Sequence, residues 1–152
     1  VAHPCEEVLS ALVESVTASF AASPSLQDVL VIDGPPLANI EAADMVALGL
    51  SLTYAVGAAG DNRPAWGGVT SAPFDIRGSL QSWSGDNGLQ PRRARALALL
   101  DGVDAVLKAD QQLGGTCDRA YLSRWNYQPV ESPQGASVVI EFTVRVDKRV
   151  FL

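Results

Sequence analysis

The side chains that could do chemistry in this chain are few and scattered. Asp101 and Asp104 stand three residues apart inside a helical pattern, so they share a side of the helix. Paired carboxylates can pass a proton or hold a metal ion. These two flank the apolar stripe of their helix and fall on its wet face, so they read as solvated surface acids. His3 is the sole histidine. It lies near a terminus, where chains fray, and a general base needs a partner that fixes its ring. Cys5 and Cys117 are far apart and form no CxxC pair. With one histidine they leave almost no material for a tetrahedral zinc set. They read as two buried thiols, and a disulfide between them is left open.

Phosphate-binding loops fare no better. Gly57-Ala58-Ala59-Gly60 lacks the Lys and Ser/Thr that would grip phosphates and magnesium. Asp33-Gly34-Pro35-Pro36 offers one glycine and two prolines where a dinucleotide fingerprint needs three spaced glycines. No GxSxG elbow occurs. The residues therefore assign no catalytic position, no metal ligand and no cofactor-binding position. The expectation is a protein that is not an enzyme and takes no cofactor.

The bulk numbers agree with a role in contacts. The chain has 152 residues, enough for one core and short for two. Charged residues make up 18%, where about a quarter is usual. A surface short of charge is often a surface that meets protein. The net charge is -6, and no basic run exists to replace phosphate counterions, which argues against duplex binding. Arg92, Arg93 and Arg95 come closest, and they read as the solvated face of a helix start. No stretch reaches the roughly 18 apolar residues of a membrane span. The N-terminus shows no basic and apolar signal pattern, so the expectation is synthesis in the cytoplasm.

Periodicity sets out the elements. Leu9, Leu12, Val13, Val16 and Phe20 mark a helix over Pro4 to Ala22, with Glu6 and Glu7 near its positive end. Asp28 to Asp33 and Met45 to Leu52 read as strands. Ala55 to Pro73 reads as a long loop, rich in Gly, Ala and Pro. Phe74 to Trp83 alternates as a strand, with Phe74, Ile76, Gly78 and Leu80 inward. Pro91 to Asp110 is the second helix, striped by Ala96, Leu99, Leu100, Val103, Val106 and Leu107. Gly114-Gly115 stops it. Asp118 to Gln128 and Ser137 to Asp147 form a strand hairpin. Strands, a crossover helix and a hairpin predict an α+β two-layer sandwich. Its sheet has four to five mostly antiparallel strands, with both helices on one face.

Three of these strands run about ten residues, roughly 33 Å, longer than the usual five or six. Length beyond the core can reach a neighbour. Strict alternation puts Tyr121, Ser123, Trp125 and Tyr127 on one face, and Ala120, Leu122, Arg124 and Asn126 on the other. Trp83 falls on the polar side of its strand. Trp, Tyr and Arg are the residues that anchor interfaces. Arg63, Trp66, Arg77, Trp83, Arg124, Trp125 and Tyr127 are the candidate subunit or partner contacts.

The layout resembles a tail terminator (tail-completion) protein of long-tailed, siphovirus-like bacteriophages. The features that carry it are the helix EEVLSALVESVTASF, the strand and turn DVLVIDGPPL, and a loop before FDIRGSLQSWSGD. The Arg-rich helix PRRARALALLDGVDAVLKAD follows, then the hairpin TCDRAYLSRWNYQPVESPQGASVVIEFTVRV. The likeness spans nearly all of residues 1–152 as one terminator-like domain with a loop at about 55–73, and it contains no signature motif. It implies a structural virion protein: a homohexameric ring on the head-proximal end of the tail tube that stops polymerisation. The implied partners are further copies of itself, the major tail tube protein and the head-tail connector or neck protein. DNA would pass through the lumen without sequence-specific binding, and no membrane is involved. The alternatives are another neck, head-completion or tube protein, then a small ligand-binding or enzymatic domain.

Overall fold

The structure, a computed structural model, describes residues 4–35, 44–54, 64–65, 69–71, 73–84, 89–132 and 135–151. The first helix, α1, runs over Pro4–Ala22. It buries Val8, Leu12, Val16 and Phe20, one per turn. A tight turn ends it, in which Ser23 N donates to Phe20 O and Leu26 N to Ser23 O. The chain then forms β1 (Leu30–Asp33) and β2 (Asp44–Tyr54). Two short strands follow, β3 (Pro64–Ala65) and β4 (Val69–Ser71). Then come β5 (Phe74–Ser84), the helix α2 (Leu89–Ala109), β6 (Arg119–Ser132), β7 (Gly135–Asp147) and β8 (Arg149–Phe151).

The main sheet has the order β1-β2-β5-β7-β6. The β1·β2 pair is parallel and the other three pairs are antiparallel. Helix α2 packs on β5, β6 and β7, while α1 packs on α2, β1 and β2. The expected α+β sandwich, with both helices on one face, is what forms. One correction concerns the segment read as a loop. Residues 64–65 and 69–71 pair as β3 and β4, and β4 pairs with β8 to give a second, three-stranded sheet. The pairing partner lies some eighty residues away in sequence, roughly the reach that local propensity cannot sense. The remaining residues of 55–72 lie outside the described ones.

The core sits between sheet and helices. On β7, Val138, Ile140, Phe142, Val144 and Val146 are all buried. On β5, Phe74, Ile76 and Leu80 face the same way. Helix α2 answers with the predicted stripe, Ala96 through Leu107, every member buried. Each such large apolar side chain contributes roughly 1.5–3 kcal/mol by leaving water.

Gly78 pairs directly with Phe142. A Cβ on Gly78 would lie 2.6 Å from Phe142 Cζ and 2.9 Å from the Ala47 carbonyl oxygen. The ring therefore lies where a side chain would be. Two ladders are interrupted. The β2·β5 register shifts between Ala47 and Ser51, around Gly49 with φ 72°. The β6·β7 register shifts between Leu122 and Arg124, where Ser123 is the extra residue. Its hydroxyl donates to the Thr143 carbonyl at 3.2 Å.

Candidate functional site

The β6 bulge decides which way the aromatic groups point. Residues paired across a ladder share a face. Ala120 and Leu122 pair with Val146 and Val144, on the helix side. After the bulge, Trp125 and Tyr127 pair with Phe142 and Ile140, also on the helix side. Strict alternation had placed them opposite Ala120 and Leu122, together with Tyr121. One inserted residue flips everything after it, so that assignment is corrected. Tyr127 packs against the core, while Trp125 keeps 50% of its surface exposed.

The other sheet face bears no described helix. It carries Asp75, Arg77, Trp83, Glu141, Arg145, Tyr121, Arg119 and Arg124. Two cross-strand pairs hold it. Arg145 Nη1 donates to Asp75 Oδ1 at 3.1 Å, and Arg77 Nη2 lies 3.6 Å from Glu141 Oε2. The Arg119 guanidinium stacks over the Tyr121 ring at 4.4 Å. Trp83 is 41% exposed on this face. An open depression of about 290 Å³ lies beside Arg77, Arg124, Asn126 and Glu141.

The candidate contacts thus divide. Arg77, Trp83 and Arg124 share the helix-free face, whereas Trp125 and Tyr127 lie on the helix side of the same sheet. Arg63 and Trp66 lie outside the described residues, as do His3 and Gly57-Ala58-Ala59-Gly60.

The residues read as chemical candidates show ordinary structural roles. Asp101 is exposed, and Asp104 pairs with Lys108 at 2.9 Å, one turn along α2. Cys5 and Cys117 are buried and not joined in a disulfide. Burial pushes the Cys117 thiol up to about 11 and raises Cys5 as well, with the nearby Lys148 ammonium opposing both shifts. Lys148 itself donates to Glu7 Oε2 and to the Thr116 carbonyl, which ties the start of α1 to the turn after α2. Among the described residues, no group of three or more His, Cys, Asp or Glu could hold a metal ion. No described helix is long and apolar enough to cross a membrane.

One polar cluster was not anticipated. Asp44 is buried at the start of β2. Its carboxylate accepts from the Ser82 hydroxyl at 2.7 Å and from Arg95 Nε at 2.9 Å. Arg92 Nη1 lies 3.8 Å from the same carboxylate and donates to Ser82 Oγ at 3.1 Å. Arg95 also reaches Asp28 at 3.2 Å. So Arg92 and Arg95 are not a solvated helix face. They fasten α2 to the sheet, and only Arg93 is exposed. The alternation of the Phe74 strand puts Ser82 on its inward side, but the register that brings Asp44 opposite it is a tertiary relation. Buried polar groups need partners.

No protein-family model matches this chain. No curated protein matches it either. Among solved structures, the fold is similar to that of a chain from the virion of a native gene transfer agent particle. The TM-score is 0.54 and the identity 18%, over 94% of this chain and 98% of that one. At that identity the likeness is one of fold.

Proposed function

We propose that this chain is a structural virion protein, and within that class a ring-forming tail terminator. On this reading residues 1–152 are one terminator-like domain. Copies close into a homohexameric ring on the head-proximal end of a phage tail tube. The ring stops tube growth and offers its other side to the head-tail connector. The observation that carries the reading is a fold shared nearly end to end, 94% and 98% of the two chains, with a virion component. The order of elements in the resemblance set out above supports the same class. Sheet edges that end in open strands and large exposed aromatics supply material for subunit contacts. The role requires positioning rather than catalysis, in keeping with scattered reactive groups. A net charge of -6 would keep DNA from adhering as it passes a lumen.

The test is negative-stain microscopy of the purified protein, alone and mixed with tail tubes assembled without a terminator. Closed rings and tubes capped at one end are the expected result. Open-ended growth into long tubes would instead favour a tube protein. A stable monomer at micromolar concentration that neither caps nor shortens tubes would remove both readings.

A further inference from the structure

The main sheet ends in two strands with one neighbour each. Among the described residues, β6 pairs only with β7 and β1 only with β2. Such edges present a row of unsatisfied N–H and C=O groups. The strand directions make the two edges compatible. Counting across the sheet, β1 and β2 run one way, β5 the other, β7 back again and β6 opposite to β7. A second copy kept in the same orientation and set beside the first brings its β6 next to β1. The two strands then run antiparallel.

The side chains at the two edges also match. On the helix side of β6, Trp125 stands half exposed beside its cross-strand neighbour Phe142. On the helix side of β1 there is an open apolar groove of about 260 Å³, lined by Thr17, Phe20, Ala21, Leu26, Val29 and Val31. Adding β6 to β1 keeps the sheet's faces aligned, so the projecting indole and the groove end on the same side. The charged groups do not take part in this match: Arg119 and Arg124 lie on the helix-free face of β6, whereas Asp28 and Asp33 lie towards the helices, Asp28 held by Arg95.

We infer that copies of this chain join head to tail, with β6 of one extending the sheet at β1 of the next and Trp125 seated in the α1–β1 groove. This rests on the ring reading and specifies its interface. The contact is heterologous, since each copy uses two different patches, and heterologous contacts are what close rings.

The experiment uses two variants of the full chain, studied by circular dichroism, native mass spectrometry and sedimentation. Trp125→Glu removes the projecting group, and Ala21→Arg fills the groove from an exposed position on α1. Each is expected to keep its helical signal and to weaken self-association about 30-fold or more, as loss of an interface anchor does. A 1:1 mixture of the two is expected to form dimers, because one interface between unlike copies is still intact. A contact made by Trp125 alone, without the groove, would instead leave Ala21→Arg associating by itself and overturn this interface. If Trp125→Glu loses its fold, Trp125→Gln and Thr17→Arg form the replacement pair. Rings that persist in both variants would overturn this interface while leaving the ring itself standing. A wild-type chain that stays monomeric, alone and on tubes, would overturn the ring reading and this one with it.

Discussion

Asp44→Ala removes the acceptor at the centre of the cluster that fastens α2 to β2. Ser82 then loses a 2.7 Å hydrogen bond and Arg95 a 2.9 Å one, and Arg92 loses its nearby counter-charge. Removing one partner of a fully buried ion pair costs about 3–5 kcal/mol, because the other charge is left uncompensated. Here the two arginine side chains keep 24% and 22% of their surface in solvent, and Arg95 still reaches Asp28. Water and Asp28 therefore recover part of the loss, and about 3 kcal/mol is expected. Asp44→Asn keeps a carbonyl acceptor for Ser82 but no charge, so about 1–2 kcal/mol is expected. Urea unfolding followed by circular dichroism measures both. With a slope of about 2 kcal/mol per molar, the alanine variant should move the midpoint down by roughly 1.5 M. A double-mutant cycle with Arg95→Ala should give a coupling of about 1.5–3 kcal/mol. A loss below about 1 kcal/mol, or strictly additive variants, would refute the view that this carboxylate anchors the helix.

Two further outcomes follow from the core. Gly78→Ala places a methyl group against the buried Phe142 ring and the Ala47 carbonyl, and should destabilise by about 3 kcal/mol. Combined with Phe142→Leu it should cost less than the two single changes added, and a sum that is merely additive would show that the ring is not the obstacle. Cys117, with its thiol raised to about 11, should react slowly with iodoacetamide at about pH 8 when folded and quickly in urea. The folded value lies above the unfolded one, so burial of the neutral thiol contributes fully below about pH 9. That contribution is lost as pH climbs towards 11. The urea midpoint of the wild type should therefore fall over that window more than that of Cys117→Ala, and parallel curves would dismiss the effect.

Much of this architecture was legible in the residues because it rests on local periods. A buried helix face repeats every three to four residues, and a half-buried strand every two. Hence α1, α2, β5 and β7 read correctly from the order of apolar groups, although α2 ends at Ala109 and a turn then leads to Gly114-Gly115, both with positive φ. The scarcity of reactive sets was also plain in composition, since one histidine and two distant cysteines are a matter of counting. What the chain order could not supply were relations between distant segments. The pairing of β4 with β8 lies in no local pattern. Nor does the meeting of Asp44 with Arg92 and Arg95, from strands and helix that only the tertiary fold brings together. The facing of Trp125 turned on a single bulged residue at Ser123, which the alternation of side chains does not reveal. Whether a strand keeps perfect register depends on the partner laid beside it. For that reason the identity of the exposed aromatic could be read from sequence, and the side of the sheet it occupies could not.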